Sequence, residues 1–453
     1  MRPPFAASAV SPALPAAVDW RRHWYPVACL ADLDQRRPQA FTLLEQDLVL
    51  WWEAAAGRWR AFADVCPHRL VPLSDGRLNE RGELECPYHG WSFEGSGRCT
   101  RIPQADDESA EAALASPRTA CRAYATAEAQ GLLFVFAGEA AEAGAVPLLL
   151  VPALEEEGEP WLVQDTFRDL PMDALTLLEN VVDVSHVPFT HHRTVGNRAN
   201  GAPVRAELTA FGPEGFRGSW PEGPRRGALG SQATTFQAPA LLVHDLTAPG
   251  FARILTVVYA VPIRRGRCRI LARFPFRFSS PWPRRLLGLR PRWLQHLANH
   301  RVLEDDQLFL HWQERVLEAR GRSGSAARAY TLATGADVYV KALHEWVDQF
   351  AADPFPDQPL PERLERSALM EREVAHTLQC RSCRSALEGI RRWRPWLAVP
   401  LWGSLAGVAW FHSLPALVGG SALALLSLAA ERRLAGWEQQ LLRGDGKPPR
   451  NRD

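Results

Sequence analysis

Two short loops carry the densest chemistry in this 453-residue chain. Cys66-Pro67-His68 and Cys86-Pro87-Tyr88-His89 each offer one thiolate and one imidazole, with seventeen residues between His68 and Cys86. A zinc finger pairs Cys with Cys on a hairpin and His with His on a helix. Mixed pairs suit instead a [2Fe–2S] cluster with two chemically distinct irons, one held by both thiolates and the other by two neutral imidazoles. Neutral ligands lower the negative charge on such a cluster and raise its potential by on the order of several hundred millivolts. Pro67, Pro87, Tyr88, Gly90, Trp91 and Phe93 would shield it. Cys29, Cys99, Cys121 and Cys268 lack partners at ligand spacing and read as packed thiols.

A second constellation lies in Glu179-Asn180-Val181-Val182-Asp183-Val184-Ser185-His186-Val187-Pro188-Phe189-Thr190-His191-His192. Asp183 and His186 stand three apart, on one face if the segment is helical. His191 would point elsewhere on a continuous helix, so Pro188 is expected to end the helix near Val187 and let a turn bring His191 back. Two such imidazoles need a carboxylate to complete a facial triad with open positions at a non-haem Fe(II). The run Val302-Leu303-Glu304-Asp305-Asp306-Gln307 supplies it, Asp306 being preferred and Asp305 the fallback. A third pair, Cys380 and Cys383, shares a helix face by spacing. It reads either as two inert thiols or as a dithiol able to close a disulfide.

These groups need elements to hold them. Trp20 to Gly138 reads as short β-strands such as Leu48–Trp52 and Leu132–Phe136, with Asp106–Pro117 a polar loop and Ala137–Ala145 a linker with nothing to bury. From Val151 to Glu371 the pattern is α+β. A helix over 173–184 presents Leu175, Leu178 and Val182, strands fill 250–280, and a helix over 291–320 carries Leu294, Leu297, Leu303 and Leu310. Trp396 to Ala430 is 35 residues without Asp, Glu, Lys or Arg, divided at His412-Ser413 and Pro415 into two apolar runs. Arg391, Arg392 and Arg394 precede it and Arg432 and Arg433 follow. That charge distribution puts both flanks on the cytoplasmic side of a two-pass transmembrane hairpin; the competing reading is a buried pair of helices.

Composition agrees with a folded protein, 46% hydrophobic and 23% charged, and excludes a disordered one. The 52 basic and 51 acidic residues leave a net charge of +1, so no nucleic-acid partner is expected. Eight cysteines are too few for a disulfide scaffold. Residues 1–19 read as a flexible Pro/Ala-rich leader without the apolar core of a secretory signal.

With both metal motifs in this order, residues from about Trp20 to Arg320 resemble the Rieske non-haem iron oxygenases. The run His186–His192, the pair Cys380/Cys383 and the terminal apolar stretch resemble the pheophorbide a oxygenase and chlorophyllide a oxygenase group. That resemblance implies an all-β Rieske domain (20–138), an α+β helix-grip (START-like) catalytic domain (150–371) and a CxxC segment with a membrane hairpin (372–453). It implies a Rieske cluster on Cys66, His68, Cys86 and His89, a mononuclear Fe(II) on His186, His191 and Asp306, and catalytic roles for Asp183 and Asn180. Asp183 would bridge His186 to His89 of a neighbouring protomer, in a homotrimer. Electrons would come from a ferredoxin-like donor, and the substrate would be a large apolar tetrapyrrole. Cys380/Cys383 would be a redox pair, addressed by a thioredoxin. The rivals are a membrane-attached Rieske electron carrier and an envelope redox sensor without turnover.

Overall fold

The computed structural model describes residues 17–247, 251–320 and 329–445. Most of the expected leader, and the last eight residues of the tail, therefore lie outside the described residues.

The N-terminal region is built from three small antiparallel sheets. The sheet holding Gln39–Leu43, Gln46–Glu53, Arg58–Ala63 and Ala123–Tyr124 packs beside a four-stranded ladder of two- and three-residue strands, Arg77–Leu78, Leu84–Glu85, Ser92–Phe93 and Cys99–Arg101. Between them Val49, Trp51, Phe62, Leu84 and Phe93 form a core that also encloses Cys66 and Cys86. Sequence reading missed two features here. Asp106–Pro117 is not a loop. Asp107–Ala115 forms helix α1 because Asp106 Oδ1 accepts from Ser109 N (2.8 Å) and caps an alanine-rich segment. The stretch taken as an idle linker is pinned, since Trp24 Nε1 donates to the carbonyls of Ala143 (3.2 Å) and Val146 (3.0 Å).

The second region centres on a seven-stranded antiparallel sheet. Its order is Leu162–Leu170, Arg267–Phe278, Phe251–Arg264, Leu241–Leu246, Gln232–Gln237, Gly215–Trp220 and Glu207–Gly212. Strand Phe251–Arg264 is largely apolar because both of its faces are covered. Leu255, Val257, Tyr259 and Val261 point into the core shared with the N-terminal sheets, while Val258 and Ala260 point to the helical side. This period of two also explains Arg273–Phe278. Phe274 faces the helical side, and Arg273, on the other face, bonds Asp165 (2.8 Å) and the Gln130 carbonyl (2.6 Å) across the domain boundary.

Three helices position the second constellation: α2 (Ala174–Val182), α3 (Val187–Thr190) and, after α4 (Pro281–Gly288), the long α5 (Arg292–Ala319). Helix α2 buries Ala174, Leu177, Leu178 and Val182, with Leu175 only half covered. Helix α5 buries an unusually polar stripe that includes His296, His300, Glu304, Asp305 and Asp306. Within that stripe Glu304 accepts from Arg168 Nη1 (2.6 Å) and from Arg372 Nε and Nη2 (2.6 Å each). Burial would raise the Glu304 carboxyl, but the two guanidinium groups hold it below its ordinary value. Arg168 and Arg372 are almost fully buried. Glu304→Ala therefore strands two cations and is expected to cost about 3–5 kcal/mol, read as a lowered denaturation midpoint of the full chain.

The C-terminal segment ends in two helices, Ala398–Phe411 and Leu414–Leu442. The second is long and apolar enough to cross a membrane, and only 6% of its apolar window is buried. Trp402, Trp410, Phe411, Leu414, Leu425 and Leu426 are exposed. Arg394 reaches Glu431 (2.9 Å) and Glu438 (2.7 Å), which brings the two ends of the apolar stretch together. The last turns of the long helix dock on the folded body. Trp437 packs edge-on against Trp293, and the Leu441 carbonyl accepts from Thr377 Oγ1 (2.6 Å).

Candidate metal centres

The two N-terminal loops are near copies of one turn. Cys66 N donates to Val71 O (2.9 Å) and Leu70 N to Cys66 O (2.9 Å); Cys86 N donates to Trp91 O (2.8 Å) and Gly90 N to Cys86 O (3.1 Å). Each turn closes at the fourth residue after its cysteine with positive φ, 58° at Leu70 and 70° at Gly90. Gly90 adopts that geometry freely, whereas Leu70 does so under strain. The result converges all four side chains. The rings of His68 and His89 lie 4.6 Å apart, and Trp91 stacks on His68 at 4.5 Å. Cys66 and Cys86 are 1% and 3% exposed, yet Leu70 (74%) and Tyr88 (58%) leave an apolar rim open beside them. Burial pushes the Cys66 thiol up to about 11, so a bound metal must displace its proton. His68 Nδ1 is buried without a hydrogen-bond partner, an atom that ligation would satisfy.

The second centre forms differently from the expectation. Helix α2 stops at Val182, and Asp183 takes an extended conformation (φ −72°, ψ 104°). Asp183 and His186 are therefore not neighbours on a helix face. A turn joins them, with His186 Nδ1 2.6 Å from the Asp183 carbonyl. Pro188 does not end a helix either; it stands in the first turn of α3, where its missing N–H is no loss. His191 follows α3 directly and turns inward.

The adjacent aspartates of α5 do different things. Asp306 Oδ2 lies 3.3 Å from His191 Nε2 and 4.0 Å from His186 Nε2. Asp305 Oδ2 sits behind the ring instead, 3.2 Å from His191 Nδ1, and also accepts from Thr194 Oγ1 (2.8 Å). With Nδ1–H bonded outward on both imidazoles, each aims Nε2 at Asp306. One ligand atom from each of His186, His191 and Asp306 lies within 4.8 Å of the others. Asp306 Oδ1 is buried without a partner. Burial lowers the basicity of His191, but hydrogen bonds to Asp305 and Asp306 outweigh it and lift the group to about 9. Two carboxylates facing one imidazole suit a divalent metal.

Sequence reading missed Asp305 as an orienting group, and also His244. This buried imidazole is lowered to about 4 by burial. Its Nε2 is 2.8 Å from the Val181 carbonyl and its Nδ1 accepts from Thr234 Oγ1 (2.9 Å), which fixes the end of α2 just before Asp183. Asp183 accepts from Ser185 N (2.7 Å) and Oγ (2.6 Å) and keeps a side chain 29% exposed. Asn180 and Asp183 both line a cavity of about 1370 Å³ that reaches His186, His191 and Asp306. Its walls are largely aliphatic and aromatic, including Leu177, Val258, Phe274 and Phe276, with Arg225 and Arg226 also lining it.

The chain is similar to known proteins. Residues 23–118 match the Rieske [2Fe-2S] domain and residues 236–324 match the family described as Pheophorbide a oxygenase. The chloroplastic pheophorbide a oxygenase of Arabidopsis thaliana is 35% identical over 456 residues, covering 93% of this chain and 83% of that protein. The chain belongs to the pheophorbide a oxygenase family of Rieske oxygenases. Its counterpart from Oryza sativa subsp. japonica is 38% identical over 395 residues, covering 81% and 73%. The crystal structure of dicamba monooxygenase bound to dicamba shares the fold, with a TM-score of 0.56 at 22% identity over 73% of this chain and 97% of that one. As a member of this family the protein is an oxygenase whose cofactors are a [2Fe–2S] cluster and a mononuclear iron, and the donor sets described above fit both. Cys380 and Cys383 lie apart from this centre. Cys380 precedes the Arg381–Trp393 helix, Cys383 sits in its first turn, and both are buried.

Proposed function

We propose that the chain oxygenates a large, flat, apolar substrate of the chlorophyll-derived tetrapyrrole class, with Cys66, His68, Cys86 and His89 holding the cluster and His186, His191 and Asp306 holding the iron. The single observation carrying this reading is that the cavity opens onto the two histidines and Asp306. A pure electron carrier has no use for a cavity at such a centre. When bound, the two centres supply single-electron transfer and dioxygen activation. The residues contribute the rest. Asp305 and the Asp183 carbonyl orient the imidazoles, while the apolar walls exclude water from the reacting carbon. Asp183, exposed at the cavity edge, links His186 to His89 of a neighbouring protomer in a homotrimer. A ferredoxin-like donor docks at the apolar rim of Leu70 and Tyr88.

The cavity volume supports the substrate class, because it exceeds the ~300–1,000 Å³ that suits a drug-sized ligand. Arg225 and Arg226 match the carboxylate that such tetrapyrroles carry. The double variant Arg225→Ala/Arg226→Ala is expected to raise KM for pheophorbide a about tenfold or more while kcat stays within about twofold. Steady-state oxygen uptake checks this; unchanged KM removes the arginines from substrate binding.

The exposed apolar helices insert into a membrane as a hairpin, keeping the catalytic regions on the cytoplasmic or stromal side. Ala398–Phe411 spans about 21 Å at ~1.5 Å per residue, extended by the turn Arg394–Leu397, and Leu414–Leu442 is long enough for a full crossing. Leu425→Arg/Leu426→Arg should move most of the protein from floated vesicles to the soluble fraction. Retention on the vesicles contradicts the insertion.

A further inference from the structure

The segment before the apolar helices closes on α5 through four side chains outside both metal centres. His296 comes from α5, His376 from the turn Glu373–Thr377, and Cys380 and Cys383 from the start of the Arg381–Trp393 helix. All four are fully buried. One ligand atom from each lies within 4.8 Å of the others. His296 Nδ1 is 3.6 Å from Cys380 Sγ, 3.4 Å from Cys383 Sγ and 3.1 Å from His376 Nε2, and His376 Nε2 is 3.3 Å from Cys383 Sγ.

Hydrogen bonding accounts poorly for this arrangement, because His296 Nδ1 faces three partners and can donate only one proton. A tetrahedral ion accounts for all of it. Bonds of about 2.3 Å to sulfur and about 2.0–2.1 Å to nitrogen put neighbouring ligand atoms about 3.3–3.8 Å apart, close to the observed spread. The order His376-x3-Cys380-x2-Cys383 is a compact ligand run, and cysteines spaced this way in a reducing compartment more often bind metal or act in catalysis than brace a fold. Two thiolates and a divalent cation are together neutral, which suits a site without water. An opposing charge beside the site is Asp32, whose Oδ1 accepts from Cys380 Sγ (3.2 Å). Its carboxylate is already matched by Arg292, at 2.7 and 2.8 Å.

We propose that His296, His376, Cys380 and Cys383 form a closed Cys2His2 site for a structural divalent ion of the zinc class. The ion staples the segment leading into the apolar helices to α5, ten residues before Asp306 on the same helix. It would thereby couple the tail to the iron-bearing helix without touching substrate.

Metal analysis of the full chain in detergent, isolated anaerobically from medium containing zinc and iron, tests the proposal. About one zinc per chain is expected beyond the iron. Cys383→Ser and His376→Ala should each lower it at least about tenfold while the cluster's visible spectrum persists. Zinc-edge absorption of the parent chain should show two sulfur and two nitrogen neighbours, a readout that stands even if both variants misfold. Zinc below about a tenth per chain, a shell without sulfur, or a Cys380–Cys383 disulfide in the fresh protein overturns the site.

Discussion

Replacing Asp306 by alanine will leave the reduced cluster spectrum intact while the mononuclear iron and substrate-dependent oxygen uptake are lost. The expected fall in turnover is at least about 100-fold, because a facial triad reduced to two imidazoles loses its charge balance as well as a ligand. Asp305→Asn separates the two neighbouring carboxylates. Asp305 touches His191 Nδ1 and Thr194 but faces away from His186, so its loss loosens the ring without removing a donor. Iron affinity should drop by about 10–100-fold, and the iron should return when excess Fe(II) is added. Iron counts and oxygen uptake on both variants decide the matter. Equal losses in Asp305→Asn and Asp306→Ala would show that the two carboxylates are not divided as the distances indicate.

Asp183→Asn carries the second large effect. Both metal centres should load fully, since Asp183 orients His186 through its backbone carbonyl, which the substitution keeps. The carboxylate is what changes. It lies 3.8 Å from His186 Nδ1 and is partly exposed, and in the proposed homotrimer it would accept from His89 of another protomer. Removing its charge is expected to slow reoxidation of the reduced cluster by dioxygen and substrate at least about 100-fold in single-turnover experiments. An unchanged rate would remove Asp183 from the electron path.

The sequence made the metal chemistry legible because ligand type and spacing are local properties. The four proposed cluster residues stand in two short loops, and ligand atoms of His186, His191 and Asp306 lie within 4.8 Å of one another. What was illegible depends on tertiary context. Helix α2 was expected to run through Asp183, but His244 holds the Val181 carbonyl from a distant strand, and the chain leaves the helix there. Pro188 was read as a terminator, yet the same missing N–H is equally suited to a first turn, and only the preceding break decides between them. Asp305 and Asp306 are adjacent, so no periodicity distinguishes them; the facing of α5 does. His296 and His376 escaped notice because eighty residues separate them before Cys380 and Cys383 join the group.

The apolar tail shows the same division. A charge-free stretch of 35 residues is plain in the sequence. That the end of the Leu414–Leu442 helix returns to the body, where Arg372 Nη1 donates to the Gln440 carbonyl (2.6 Å), is not. This contact ties the tail to Glu304, two positions from the candidate iron ligand Asp306.

The most direct test of two metal centres in one chain is an iron and acid-labile sulfide count on the anaerobically purified protein, with the ferrous site probed by nitric oxide. About three irons and two sulfides per chain are expected, with a nitrosyl signal that shifts when pheophorbide a is added. About two irons and two sulfides, with no nitrosyl signal, would contradict it.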